Sequence, residues 1–396
     1  MMSDNLVIEN GTIYTPSKII NNGLLLLQNE KIAYVGDKNN TSLPKNYNRI
    51  NAEGQIVCPG FVDLQSNGGG GVFLTEDGTY IGVCKMAKAH AKFGTTSFTP
   101  TILTADINKM CTALNAIAQA VVKGTGGAIV LGSHLEGPFI NPKKRGVHPA
   151  EFITEPSKEL FEKFYSASEA TLKIFTLAPE LEGSLDLIEY IKKYDIFVSM
   201  GHTTATYQQI SKAINSGLSL ATHIFNGMVG LGSREPGPVG TILSNNKLKT
   251  GLIADGIHVH PISMKIVINA KGYENVFLVT DSMPPIGTNL DSFEIYGQKI
   301  LVKEGKCYTE DGTIAGSTLT MNKAVKIVHE KVGVPLKEAI RMATEIPAKA
   351  IGVFDVLGSL TVGKEANVVI CDKSMEIQKV IVKGKIVYNL SEQENK

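Results

Sequence analysis

Four residues with reactive side chains each end a short apolar run of the sequence. They are Glu136 in IVLGSHLE, His202 in IFVSMGH, His223 in LSLATH and Asp281 in VFLVTD. Two imidazoles and one carboxylate are a ligand set suited to a catalytic Zn²⁺ ion, with a fourth position left for water. Each residue alone could be a buried polar side chain, but their shared position predicts one divalent metal on Glu136, His202 and His223. The same ligands also accept iron, cobalt or manganese.

Asp281 is a candidate for proton transfer beside this metal. An aspartate next to a metal-bound water can take its proton and later pass it to a leaving group. The alternative role is a helix N-cap, a position that Asp favours. Pro284 and Pro285 follow closely and disfavour a helix here, so we interpret Asp281 as a general base and then a general acid.

The middle of the chain contains eight such apolar runs, and segments with helical periodicity lie between most of them. This alternation predicts an α/β fold, a TIM-like (β/α)8 barrel in which the C-terminal ends of the strands carry the reacting groups. A doubly wound sheet is the alternative, but it would more naturally show GxGxxG after its first strand. The runs cover residues 61–65, 97–101, 129–136, 173–180, 196–202, 218–223, 252–256 and 276–281.

Both ends of the chain are rich in short strands and turns, unlike the middle. This pattern predicts one small, discontinuous β-sandwich domain that is assembled from both termini, residues 1–57 and 358–396. Residues 58–357 predict the barrel domain. Within it, residues 284–312 interrupt the alternation and predict a β-hairpin insertion after the eighth strand.

The composition limits the partners that the protein can have. The 396 residues are 43% apolar and 19% charged, as in a folded globular protein. A net charge of +1 gives no overall field that would favour nucleic acid or an anionic membrane. Five scattered cysteines without a CxxC pair indicate neither a disulfide framework nor a thiolate zinc site. The start, MMSDNLVIEN, shows no secretory signal, so we expect a cytoplasmic protein.

Seven short segments occur in one order, within a stretch from about residue 6 to residue 390 that also includes GSLTVGKEANVVI. They are PGFVDLQSNG, HLEGPF, GHTTATY, THIFNGM, ADGIHV, LVTDS and AGSTLTM. In this order the chain resembles the N-acetylglucosamine-6-phosphate deacetylase family of the amidohydrolase superfamily. The resemblance implies a metal-dependent hydrolase barrel with a split β-domain. It also implies removal of acetate from an N-acetylated amino-sugar phosphate, in amino-sugar catabolism, by a homodimer.

The resemblance assigns a role to individual residues by position. It implies metal ligands at Glu136, His202 and His223, catalysis by Asp281, an acyl-polarising His148, substrate contacts at Asn226 and Gly227, and phosphate contacts at Arg234 and His258. It further implies that part of the phosphate site comes from a neighbouring subunit. The Arg234 guanidinium can bind a phosphate through two hydrogen bonds. From its chemistry alone, an arginine that is merely solvated on a loop is an equal alternative.

The segment after the first barrel strand departs from the superfamily pattern. Many members carry His-x-His there for a second metal, whereas this chain has Gln65 and Asn67. Amide oxygens are weak zinc ligands beside imidazole. We therefore predict a single metal, with Gln65 and Asn67 hydrogen-bonded to nearby water or substrate, and glycines at 68–71 that leave room for a sugar.

The remaining histidines give weaker signals. His134 shares a strand face with Glu136. We therefore expect it either to hold a metal ligand in place or to be a packed core histidine. His90 and His329 lie in helical segments, which predicts surface positions. The role of His260 stays open.

The sequence leaves three alternatives to acetyl removal from N-acetylglucosamine 6-phosphate. The first is the same chemistry on N-acetylgalactosamine 6-phosphate, because no motif encodes the stereochemistry of one hydroxyl. The second is another amidohydrolase reaction, such as cyclic-amide hydrolysis or deamination, which Arg234 and Asn226 disfavour. The third is a catalytically silent scaffold, which the joint presence of the metal ligands and Asp281 disfavours.

Overall fold

The computed structural model describes residues 5–38, 47–310, 312 and 314–393, so the first four residues of the predicted signal-free start and position 311 of the predicted insertion lie outside it. The strands are β1 Leu6–Tyr14, β2 Ile19–Gln28, β3 Lys31–Asp37, β4 Asn48–Asn51, β5 Ile56–Pro59, β6 Phe61–Ser66, β7 Gly68–Gly69, β8 Val72–Phe73, β9 Thr95–Leu103, β10 Ile129–Val130, β11 Ser133–Glu136, β12 Leu172–Leu177, β13 Phe197–Met200, β14 Leu220–Ala221, β15 Lys249–Ile253, β16 Val276–Val279, β17 Ser292–Ile295, β18 Gln298–Lys303, β19 Lys306–Thr309, β20 Ile314–Ser317, β21 Val368–Cys371, β22 Ile377–Val382 and β23 Lys385–Asn389. The helices are α1 Leu74–Asp77, α2 Tyr80–Ala91, α3 Ile107–Lys123, α4 Lys158–Ala167, α5 Ser184–Ile191, α6 Tyr207–Ser216, α7 Gly237–Ser244, α8 Pro261–Lys271, α9 Met321–Ile327, α10 Leu336–Met342, α11 Glu345–Ala350 and α12 Leu390–Gln393.

The middle of the chain forms a barrel of parallel strands, which confirms the predicted fold. The hydrogen-bonded order is β10-β9-β11-β12-β13-β14-β15-β16, with β6 beside β9. The barrel closes between β16 and β6, where the Asp281 amide donates to the Gln65 carbonyl at 2.9 Å and Ser66 bridges Ser282. All eight predicted strands are present, and the third is divided into β10 and β11.

The local sequence explains why these elements form. Strand β9, TTSFTPTIL, is buried along its whole length, and its β-branched threonines favour an extended backbone. Helix α3 begins at the cap Asp106, whose carboxylate accepts from the Asn108 amide, and α6 begins with a capping box of Thr206 and Gln209. The fully buried rings of Phe139, Phe161 and Phe175 pack between strands and helices.

Strands from both termini form the small β-domain, as predicted. Its sheet is continuous, in the order β23-β22-β21-β5-β1-β2-β3 with β4 beside β1. Strand β21 from the C-terminal part pairs antiparallel with β5 from the N-terminal part, so that Val368 lies opposite Pro59. A separate small core that includes Ile8, Leu25 and Val57 stabilises this sheet.

The insertion after the eighth strand is larger than the predicted hairpin at 284–312. It is a four-stranded antiparallel sheet, β17-β18-β19-β20, that extends to Ser317. The short strand IAGS at its end carries little apolar pattern, which is why periodicity missed it. Its apolar face packs against Leu103 and Met283, so the insertion lies beside the C-terminal ends of the barrel strands. Among the described residues, no helix is long and apolar enough to cross a bilayer.

Candidate active site

The three predicted metal ligands meet at the C-terminal ends of β11, β13 and β14. The Nε2 atoms of His202 and His223 lie 3.0 Å and 2.9 Å from the same oxygen, Glu136 Oε1. All three side chains are buried. Burial would raise the pKa of Glu136, but its contacts with His202 and His223 hold that pKa well below the ordinary value.

The chemistry of these donors fits a cation. His202 Nδ1 lies 2.8 Å from the Lys144 carbonyl oxygen, which only accepts, so Nδ1 carries the proton and a neutral ring keeps its lone pair on Nε2. That lone pair faces the Glu136 carboxylate, and a positive charge between them satisfies both. Burial would lower the pKa of His223, yet Glu136 raises it to about 9, so the site favours positive charge. Two imidazoles and a carboxylate fit Zn²⁺ and also other divalent transition metals.

His148 lies beside these ligands, with its ring centroid 4.6 Å from that of His202. It offers a ring nitrogen in the same neighbourhood, because ligand atoms of Glu136, His148 and His202 lie within 4.8 Å of one another. The Thr104 backbone amide donates to His148 Nδ1 at 3.2 Å, so Nε2 carries the proton. Burial and the neighbouring His202 lower the pKa of His148 well below its ordinary value. His148 is therefore a neutral hydrogen-bond donor rather than a fourth ligand.

Two side-chain amides hold the carboxylate of Asp281. Asn67 Nδ2 donates to Asp281 Oδ1 at 2.7 Å, and Gln65 Nε2 donates to the same oxygen at 3.2 Å. Gln65 Nε2 also donates to Glu136 Oε2 at 2.9 Å. The structure thus shows both amides bound to carboxylates, and their predicted contact with water or substrate remains a prediction. Asn67 Oδ1 is buried without a hydrogen-bond partner among the described residues, which leaves one acceptor available.

The backbone at the candidate residues is strained. His202, His223 and Asp281 have φ angles of 47°, 30° and 49°, a left-handed region that residues with a Cβ atom rarely adopt. Such outliers cost about 1–3 kcal/mol each and cluster at functional sites. Burial and the Glu136 charge raise the pKa of Asp281 above its ordinary value, as suits a group that both accepts and donates a proton.

A cavity of about 200 Å³ opens above these side chains. Polar groups and an apolar wall share its lining, which suits a sugar that carries a small acyl group. Besides the catalytic candidates, the lining includes Asn67, Leu103, Gly146, Val147, Asn226, Gly227, His258, Met283, Ile314 and Gly316.

Four substrate contacts are predicted on the loops that follow β14 and β15, and three of them line this cavity. A Cβ atom on Gly227, which has a φ of 59°, would lie 2.8 Å from His202 Nδ1, so only glycine allows this close approach. His258 Nδ1 is fixed by Asp255 Oδ2 at 2.6 Å, and Asn226 contacts the His223 carbonyl at 3.3 Å. Arg234 lies exposed on the following loop, outside the residues that line the cavity of its own chain.

Sequence reasoning missed Glu180, which holds the loop after His202. Its carboxylate accepts from Thr203 Oγ1 at 2.5 Å, the Thr204 amide at 2.6 Å and Asn141 Nδ2 at 2.9 Å. Glu180 ends the apolar run KIFTLAPE, so the strand-end rule that found the other residues could have found this one too.

The other histidines serve the scaffold. His134 donates to the Leu64 carbonyl at 3.1 Å and lies 2.8 Å from Thr176 Oγ1, so it belongs to the buried interior of the barrel. His260 caps α8 by accepting from the Ile262 amide. The prediction that His90 lies on the surface is wrong, because its side chain is only 1% exposed. Helical periodicity did not reveal that α2 turns this residue towards the barrel.

A parallel barrel with a carboxylate and two imidazoles on its strand ends defines a metal-dependent hydrolase, and residues 56–387 match the model of the amidohydrolase family. The chain belongs to this family, among the amino-sugar phosphate deacetylases. It is 36% identical to the N-acetylglucosamine-6-phosphate deacetylase of Bacillus subtilis (strain 168), over 98% of each chain. It is 37% identical to the N-acetylgalactosamine-6-phosphate deacetylase of Escherichia coli O157:H7, over 84% of this chain and 88% of that one. The crystal structure of N-acetylglucosamine-6-phosphate deacetylase from Pasteurella multocida, 34% identical, superposes with a TM-score of 0.91 over 96% and 99% of the two chains.

The contact between Asn67 and Asp281 predicts a change in pH dependence. The Asn67 amide stabilises the charged form of Asp281 and lowers its pKa, so Asn67→Ala should raise that pKa. The acid limb of kcat/KM for acetyl hydrolysis should therefore move to higher pH.

Asn226→Ala is the matched control, since it removes a cavity amide that donates to backbone carbonyls and not to Asp281. It should change KM and leave the acid limb in place. An acid limb that stays fixed or moves down in Asn67→Ala would contradict the role of this amide.

Proposed function

We propose that this protein hydrolyses the N-acetyl group of N-acetyl-D-glucosamine 6-phosphate, giving glucosamine 6-phosphate and acetate in amino-sugar catabolism. The observation that carries the proposal is the convergence of Glu136, His202 and His223 beside Asp281 and His148 at one cavity. The names of the relatives, which act on N-acetylated hexosamine 6-phosphates, supply the class of substrate.

Glu136, His202 and His223 would hold one divalent ion per chain, Zn²⁺ in our proposal, with Fe²⁺, Co²⁺ and Mn²⁺ as alternatives. When bound, such an ion makes water a stronger nucleophile at neutral pH and polarises an acyl oxygen. The protein fixes the ligands in advance, since Lys144 orients the His202 ring and Gln65 orients the Glu136 carboxylate. Preorganised ligands of this kind need little rearrangement during the reaction.

Asp281 moves the protons of the reaction. Its carboxylate accepts one proton from the attacking water and later donates it to the departing amine, so amide and water give amine and acetate with Asp281 regenerated. The His148 Nε2–H donates to the acyl oxygen as negative charge develops there. Gln65 and Asn67 hold the Asp281 carboxylate near the attacking water and the departing amine. The Asn67 Oδ1 atom, which has no partner among the described residues, can accept from the acetamido N–H.

The phosphate end of the substrate would lie towards Asn226, Gly227 and His258. We propose that the protein is a homodimer in which Arg234 completes the phosphate site of the partner subunit. The exposure of Arg234 supports this assignment, and so does the exposure of the apolar Val229 and Leu231 on the same loop. A cytoplasmic location is proposed as well, because all five cysteines are free thiols.

N-acetylgalactosamine 6-phosphate is the second candidate substrate, because one of the similar relatives carries that activity in its name. An acetate-release assay across N-acetylglucosamine, its 6-phosphate and N-acetylgalactosamine 6-phosphate separates the two. We expect the highest kcat/KM with N-acetylglucosamine 6-phosphate and a large loss without the phosphate. Equal rates with and without phosphate would contradict the roles given to Arg234 and His258.

Replacing the general base tests the proposed chemistry. Asp281→Asn keeps the shape of the side chain but cannot accept the proton, so kcat should fall by about 10²- to 10⁴-fold while metal content is retained. Asp186→Asn, at an exposed position in the first turn of α5, is the control and should match wild type. Turnover near the wild-type rate in a metal-loaded Asp281→Asn protein would overturn the assignment.

Mixed dimers test whether Arg234 serves the partner subunit. Arg234→Ala and Asp281→Asn homodimers should each be strongly impaired. A hybrid dimer of the two chains regains one complete site, because the cavity with an intact Asp281 receives Arg234 from the other chain. The hybrid should therefore exceed both homodimers in kcat/KM at limiting substrate. A hybrid no more active than the average of its parents indicates that Arg234 acts within its own chain.

A further inference from the structure

His90 is a buried titratable residue that the proposed chemistry does not use. It lies on α2 and points to the junction where β16 meets β6, which we call the closing seam and define by Ser66, Gly68 and Ser282. His90 Nε2 lies 2.9 Å from the Gly68 carbonyl oxygen, 2.9 Å from Ser66 Oγ and 3.3 Å from Ser282 Oγ. One ring nitrogen therefore contacts all three residues of the closing seam.

The protonation state of His90 follows from its partners. The Gly68 carbonyl only accepts, so Nε2 carries the proton. Burial lowers the pKa of His90 to about 4, which keeps the ring neutral at physiological pH. The ring stacks on Phe98 at 5.7 Å between centroids with 23° between planes, which restricts its rotation. His90 is a fixed single N–H donor aimed at the closing seam.

The closing seam carries the groups that surround the general base. Ser66 separates Gln65 from Asn67 in the sequence, and Ser282 follows Asp281 directly. The Asn67 and Gly68 amides both donate to the Ser282 carbonyl, at 3.0 Å and 2.9 Å.

Side-chain contacts and steric limits tighten the same junction. Ser282 Oγ donates to the Gly68 carbonyl at 3.2 Å. A Cβ atom on Gly69 would lie 2.9 Å from His90 Nε2, so the loop leaves little free space beside the ring. The left-handed φ of Asp281 needs surrounding contacts of this kind to persist.

We propose that His90 is a positioning residue for Asp281: by fixing the closing seam, it keeps the Gln65 and Asn67 amides and the Asp281 carboxylate in the geometry of proton transfer. This inference rests on the proposed role of Asp281 as general base. It requires no contact between His90 and substrate or metal, since the effect passes through Ser66, Gly68 and Ser282.

Two substitutions separate the N–H group from the packing of the ring. His90→Phe keeps an aromatic side chain against Phe98 but removes the donor, whereas His90→Gln supplies an amide N–H of similar reach. In His90→Phe we expect kcat to fall about 10- to 100-fold, as for small misplacements of reacting groups. KM and metal content should stay within about twofold of wild type. His90→Gln should recover most of the lost kcat.

The matched control is His329→Phe, which removes a histidine that donates to the Val334 carbonyl away from the cavity and should leave kcat unchanged. A second measurement does not depend on activity. Hydrogen exchange followed by mass spectrometry should show faster exchange at the Asn67, Gly68 and Asp281 amides in His90→Phe, with protection restored in His90→Gln.

The outcomes are distinct. A kcat within twofold of wild type in His90→Phe overturns the inference, as does a loss that the metal content or KM fully explains, or a His90→Gln protein no better than His90→Phe. A wild-type protein that releases no acetate from any hexosamine phosphate contradicts the proposed function instead. In that case the exchange data still decide whether His90 fixes the closing seam.

Discussion

The site depends on one oxygen atom, Glu136 Oε1, that two imidazoles share inside the barrel. An ionised carboxylate without compensation is costly to bury, by several kcal/mol even after relaxation. The compensation must therefore come from positive charge at this point, and the barrel brings two imidazoles to it because β11, β13 and β14 end at the same level. The strained backbone of His202 is tolerated because neighbouring loops fix its ring, with the Lys144 carbonyl on one side and Gly227 in close contact.

A second constraint follows from the first, because another carboxylate lies nearby. Two neighbouring carboxylates raise each other's pKa, and Glu136 raises the pKa of Asp281 in this way. The Gln65 amide donates to both carboxylates, so it separates two negative groups without adding a metal ligand. In this chain the end of the first barrel strand thus supplies hydrogen-bond donors where many amidohydrolases supply histidines. A single cation is consistent with this replacement of histidines by amides, since Gln65 and Asn67 hold the Asp281 carboxylate.

The sequence was sufficient for the barrel and for the catalytic candidates because both follow from strand ends. Parallel strands end at one face, so Glu136, His202, His223 and Asp281 had to be neighbours once eight strands were recognised. Other features depend on packing that no single-chain pattern encodes. The helix that carries His90 has helical periodicity but no signal for which face meets the closing seam. The insertion was underestimated because its last strand is short, and the role proposed for Arg234 depends on contacts between chains that a single sequence does not encode.

The decisive measurement is the metal content of purified wild-type protein and of a Glu136→Ala, His202→Ala, His223→Ala triple variant. We predict about one tightly bound divalent ion per wild-type chain, with an anomalous scattering peak at Glu136, His202 and His223 in a crystal, and loss of that ion in a triple variant that remains folded. A folded wild-type protein that binds no stoichiometric ion after incubation with Zn²⁺, Fe²⁺, Co²⁺ or Mn²⁺ would contradict the account. A triple variant that retains the ion would contradict it equally.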